Sequence, residues 1–119
     1  MAEPDVIDPA ALDELLETTG GDPAFLAELI DTYLGDSIVL LAAMRQAIAA
    51  ANAEELRRAA HSLKSNSASF GARRLASLCQ ELEQRAKDGI FEGTPGRLSH
   101  IEAAYAEVEH ALRALRPAS

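Results

Sequence analysis

Apolar residues recur at spacings of three and four along most of this chain and nowhere alternate in twos, a pattern of amphipathic helices rather than strands. The longest stripe comprises Phe25, Leu26, Leu29, Ile30, Tyr33 and Leu34, continued by Ile38, Leu41, Met44, Ala47 and Ile48. A second contains Leu56, Ala60, Leu63, Ser67 and Phe70, and another contains Leu98, Ile101, Tyr105, Val108 and Leu112. Turn chemistry punctuates these stripes. Asp8-Pro9 supplies an N-cap and a first helical residue for a short helix that Gly20-Gly21 ends, and Asp22-Pro23 repeats the device. Gly35 falls mid-pattern, where it can kink or split the long helix. Asn52 marks a turn before a third helix over Ala53 to Phe70, and Gly71 separates it from a fourth over Ala72 to Lys87. Residues 88–96 read as a loop, with Thr94-Pro95 capping a last helix that Arg113, Arg116 and Pro117 close.

Four long helices with short connections bury their stripes by packing as an antiparallel up-down bundle, here with a short additional N-terminal helix over one end. The fold class is all-α, and 1–119 reads as one domain with one core. Composition agrees. The chain has 24 alanines, no Trp and 4% aromatic residues, which favours helix over sheet. The single cysteine, Cys79, excludes an internal disulfide and suits a reducing compartment. The N-terminal sequence has neither a basic start nor an apolar run, and no segment is apolar enough to span a membrane, so a cytoplasmic protein is expected. A free-standing protein and a piece of a hybrid kinase both stay open, with Met1 only a weak pointer to the first.

The net charge of −8 argues against nucleic acid as a partner. That charge is uneven. No acidic residue lies between Glu55 and Glu81, whereas Arg57, Arg58, Lys64, Arg73 and Arg74 all do. His61 sits inside this basic island. On a helical wheel it falls roughly 140° from the centre of the Leu56–Leu63 stripe, which places it outward. Arg57, Lys64, Ser65 and Ala68 share its face, one or two turns away. An outward imidazole is a competent nucleophile, small neighbours leave room for another protein, and a lysine one turn on can offset phosphoryl charge. The plainer alternative is an idle surface histidine on a solvated face.

The stretch His61-Ser62-Leu63-Lys64, with small residues after it and Phe70-Gly71-Ala72 beyond, resembles the histidine-containing phosphotransfer (HPt) domain of two-component phosphorelays. The family pattern, roughly H-x-L-K-G-x-(small)-x-x-(apolar)-G, is matched at the histidine, leucine, lysine and final glycine. GGDPAFLAELIDTYL and LASLCQELEQRAKDG resemble the family's segments as well, so the likeness spans nearly the whole chain. It implies a four-helix bundle that relays a phosphoryl group, with His61 as phosphoacceptor and Lys64 near the phosphoryl oxygens. Glu83, 22 residues after His61, matches the position of a ring-orienting Gln or Glu that accepts from Nδ1, with Gln80 and Gln84 as other occupants of that role. Partners would be a response-regulator receiver domain, bringing its own aspartate and Mg²⁺, or a hybrid sensor histidine kinase. The docking surface would use small contacts around Ser65 and Ala68, with Arg57, Arg58 and the Arg73-Arg74 pair at its rim. Ser65 departs from the family's usual glycine and adds a hydroxyl beside the histidine.

No cofactor, metal or nucleotide site is expected. There is no Gly-rich phosphate loop, and His100 and His110 stand ten apart on one helix. Cys79 reads as a small buried hydrophobe. The chain is expected to act as a monomeric relay intermediate without turnover of its own. A non-phosphorylated docking module with the same fold is the alternative, and an enzyme built on His61 and Glu83 is a third class disfavoured by a flat helix face.

Overall fold

A computed structural model describes residues 6–117; the readings at Met1 and in the first residues lie outside them. It contains α1 (Pro9–Thr18), α2 (Pro23–Ala49), α3 (Ala53–Ser69), α4 (Arg73–Lys87) and α5 (Thr94–Leu115). Helix α3 packs on both α2 and α4, and α5 closes the ring against α4 and α2. The short connections make neighbours antiparallel, so the result is an up-down four-helix bundle with α1 added at one end.

The caps act as the residue types dictate. Asp8 and Asp22 each accept from the backbone N–H two residues on, at 3.0 Å, and each precedes a proline. Asn52 accepts from the Glu55 N–H at 3.1 Å. Three expected boundaries move. Helix α3 stops at Ser69 with Phe70 as its C-cap, and Ala72 is the N-cap of α4 rather than its first residue. Thr94 does not cap α5: its hydroxyl donates backward to the Phe91 carbonyl at 2.6 Å, and Gly93, with φ +77°, is the N-cap. Helix α2 neither splits nor ends at Gly35. Its 27 residues make about 40 Å of helix at the α-helical rise, close to the molecule's 43 Å long axis.

The core is built from Ile30, Met44, Leu56, Leu63, Leu75, Leu82, Ile101 and Leu112, all fully buried. Two members of the expected α2 stripe are not in it. Phe25 is 47% exposed and Ile38 60% exposed, because Leu26 and Ser37, one residue away and 100° round the helix, take the inward positions. Ser37 is tolerated inside because its hydroxyl donates to the Tyr33 carbonyl at 2.7 Å. Tyr33 in turn bonds Ser67 of α3 at 2.8 Å and packs its ring against Phe70, centroids 4.9 Å apart and planes tilted by 43°.

Gly71, between α3 and α4, has φ +74° and is buried. A Cβ there would lie 2.8 Å from the Ala11 Cβ and 2.9 Å from the Asp8 backbone N. The Asp8 N–H donates to the Gly71 carbonyl at 2.9 Å, and Arg73 pairs with the Asp8 carboxylate at 2.5 Å. Absence of a side chain at Gly71 therefore lets the start of α1 seat on the α3–α4 turn, with Ile7 buried beside it.

Candidate functional site at the α3–α4 seam

Packing the Leu56–Ala60–Leu63–Ser67 stripe inward turns the opposite face of α3 outward. His61 is on that face with its side chain 54% exposed. Ser65 and Ala68 are exposed on the same face, and Arg57 and Lys64 are partly exposed. Helix α4 lies alongside. Its inward residues Cys79, Leu82 and Ala86 follow the three–four spacing, and Glu83 belongs to that same inward set. A carboxylate is thereby carried into the seam, where its side chain is only 3% exposed.

Its charge is met there. Glu83 Oε2 accepts a hydrogen bond from His61 Nδ1 at 3.0 Å, and Oε1 accepts from Lys64 Nζ at 2.6 Å. Lys64 also donates to Gln80 Oε1 at 2.8 Å. The Lys87 ammonium lies 3.7 Å from Oε2, too far for a hydrogen bond but close enough for charge. Burial alone would raise the Glu83 carboxyl, but the hydrogen bonds from Lys64 and then His61 outweigh it and hold the group below the ordinary glutamate range. Glu83 is therefore ionised at neutral pH and can only accept. The proton of a neutral His61 ring then resides on Nδ1, which leaves the Nε2 lone pair outside, hydrogen-bonded to no described residue.

Helix packing thus brings His61, Lys64 and Glu83 together, with Gln80 on Lys64 and Gln84 turned away to Asp88 at 3.2 Å. The rim differs from a basic island. Arg57 is held by Glu54 of its own helix through two hydrogen bonds of 2.6 and 3.2 Å, and Arg58 approaches the same carboxylate at 3.6 Å. Arg73 is paired with Asp8, and both Arg73 and Arg74 belong to the first turn of α4, beyond the end of the α3 face. Acids distant in the chain, or just before the interval, neutralise much of that stretch.

Sequence reasoning passed over Lys87 and assigned Gln80 only as another ring partner. Both lie on the Glu83 face of α4, at i+4 and i−3, so the helical spacing held the signal. Elsewhere, burial pushes the Cys79 thiol up to about 12, so it is not a thiolate at neutral pH. Among the described residues no three His, Cys, Asp or Glu side chains cluster as metal ligands, and no helix is long and apolar enough to cross a membrane.

Comparison with known proteins points the same way as the fold. A comparison with curated proteins returned no match. The structure superimposes on the crystal structure of histidine-containing phosphotransfer protein B (HptB) from Pseudomonas aeruginosa PAO1 with a TM-score of 0.86 and 31% sequence identity, over 96% of both chains. The family model described as the Hpt domain matches residues 28–116, which takes in α3, α4, α5 and most of α2. The chain belongs to the Hpt family of histidine-containing phosphotransfer proteins.

Proposed function

We propose that this phosphotransfer protein carries its phosphoryl group on Nε2 of His61, taking it from one partner and handing it to the next. The observation that carries this reading is the hydrogen bond from Nδ1 of a half-exposed imidazole to a nearly fully buried, ionised carboxylate. As the donor's acyl-phosphate bond breaks, the Nε2 lone pair forms the new N–P bond and the aspartate carboxylate leaves. Nδ1 keeps its proton, so the phosphorylated ring is cationic, and Glu83 balances that charge. Onward transfer breaks the N–P bond and returns the lone pair to Nε2, so no net proton is consumed.

Lys64 offers its remaining N–H to the phosphoryl oxygens, and Glu83 orients the ring. Such transfer depends on positioning and charge stabilisation rather than on a large substrate pocket. The partner is a receiver domain or a hybrid sensor kinase whose aspartate approaches across Ser65 and Ala68, where small side chains leave Nε2 uncovered. Arg57 sits at the rim with its charge already engaged by Glu54. The protein acts as a cytoplasmic monomer without turnover of its own. Incubation with a phosphorylated receiver tests this: the wild type acquires an acid-labile label, and His61→Gln acquires none while keeping its helicity. Full labelling of that variant would overturn the assignment, and an unlabelled wild type that still binds the receiver would make the chain a docking module instead.

A further inference from the structure

We propose that the Ser65 hydroxyl is a phosphoryl-binding donor, holding an oxygen of the group on His61 Nε2 from the flank opposite Lys64. This rests on the reading of His61 as phosphoacceptor and gives chemistry to a position where the family usually has glycine.

The other serines of α3 are placed or committed elsewhere. Ser62 lies in the groove against Leu40 and Ala43 of α2. Ser67 is buried and bonds the Tyr33 hydroxyl at 2.8 Å. Ser69 donates back to the Ser65 carbonyl at 3.2 Å. Ser65 is exposed on the His61 face, and its hydroxyl bonds no described residue.

Helix geometry aims that hydroxyl. Ser65 follows His61 by four residues, which places their Cβ atoms about 5–6 Å apart. Helical side chains lean toward the N-terminus, so Ser65 covers the turn that His61 occupies. Around the axis Lys64 stands roughly 60° from His61 toward α4, and Ser65 roughly 40° the other way, toward α2. Glu83 also holds Nδ1 from the α4 side. A group on Nε2 therefore meets Lys64 on one flank and Ser65 on the other.

The donor count leaves room for it. A phosphoryl group presents three strong acceptor oxygens. Lys64 has one N–H left after bonding Glu83 at 2.6 Å and Gln80 at 2.8 Å. Arg57 is committed to Glu54. Ser65 adds a donor without adding a charge beside the cationic ring, on a side chain small enough to leave the approach of a receiver open.

The test uses the full chain phosphorylated with phosphoramidate, so contacts of Ser65 with a docking partner do not enter. In this reaction the P–N bond of the reagent breaks, ammonia departs, and Nε2 forms the new bond. The phosphoryl titration is followed by ³¹P NMR in wild type, Ser65→Ala, Ser65→Gly, Ser65→Thr and His61→Gln. A donor favours the dianion, so its removal should move the titration to higher pH in both Ser65→Ala and Ser65→Gly. The expected shift is about 0.3–0.7 of a pH unit, or two- to fivefold, within the range of one net hydrogen bond. Ser65→Thr, which keeps the hydroxyl, should titrate as wild type does. A residue that acts only through its size would leave the titration of Ser65→Ala where it was, or shift Ser65→Ala and Ser65→Thr alike. Either result, with the label on His61, overturns this inference alone. Undiminished label on His61→Gln overturns the phosphoacceptor assignment and this inference with it.

Discussion

Replacing Glu83 with alanine removes the one buried charge at the seam and separates two effects that the structure couples. The carboxylate accepts two charge-assisted hydrogen bonds, from Lys64 at 2.6 Å and His61 at 3.0 Å. Each such bond contributes about 1.5–3 kcal/mol. Against this, taking a carboxylate out of water costs several kcal/mol, and the stranded Lys64 and His61 both retain access to solvent. The opposing terms leave a net loss of about 1–3 kcal/mol, or roughly 4–10 °C in Tm for a domain of this size. Function depends on a different quantity. Without an acceptor at Nδ1 the ring loses a tautomer preference of about 1–2 kcal/mol, which slows transfer roughly five- to thirtyfold at 1.4 kcal/mol per factor of ten. Glu83→Gln separates the two further. Its amide oxygen can still accept from Nδ1, and Lys64 keeps Gln80, so transfer should fall only a few-fold. Rapid-quench transfer from a phosphorylated receiver gives the rates, ¹⁵N NMR of the imidazole gives the tautomer, and denaturant unfolding gives the stability. An alanine variant with wild-type rate and an unchanged tautomer ratio would show that Glu83 does not orient the ring.

Further outcomes follow from other parts of the molecule. The Glu83 carboxyl is held below its ordinary value of 4.5, so its contribution to stability is present above that pH and lost as pH falls through the folded value; the stability gap between wild type and Glu83→Ala, measured by urea unfolding, should close in acid. Ala68→Trp should block transfer from a receiver while leaving the melting curve in place, because Ala68 is exposed on the His61 face; normal transfer would move the docking face elsewhere. Gly71→Ala should cost more than about 1 kcal/mol, since it adds left-handed strain to a Cβ clash with Asp8 and Ala11, and hydrogen exchange should speed up in α1 before the bundle. Ala51 already occupies the left-handed region at φ +52° between α2 and α3, so Ala51→Gly should stabilise the protein by about 0.5–1 kcal/mol in the same unfolding assay.

Much was legible along the chain because the interactions concerned are local. Asp8-Pro9, Asp22-Pro23 and Asn52 announce helix starts since a cap needs only a side chain two or three residues from an orphan N–H. The outward direction of His61 follows from the burial of Leu56, Ala60 and Leu63 on the same helix, a matter of rotation per residue. The family pattern around His61 is likewise contained in one helix and the turn after it. Gly35 and Thr94 show the limit of such signals: a glycine with no neighbour to contact does not break a helix that both flanks hold against the bundle, and a buried threonine bonds whichever carbonyl the loop presents.

Other properties belong to pairs of helices and so arose only on packing. No single-helix argument sets the distance between His61 and Glu83, which are 22 residues apart and meet because α3 and α4 are antiparallel. The basic interval lost much of its excess charge the same way, as the fold brought Asp8 to Arg73 and Glu83 to Lys64. Ile38 and Phe25 became exposed because which residue of an apolar stripe faces inward depends on where the neighbouring helices stand. Hydrophobic spacing determines that helices form; the approach of one face to another determines the protonation of Glu83, the tautomer of His61 and the anchoring of Lys64, because electrostatic coupling acts through space at a few ångströms and is indifferent to separation along the chain.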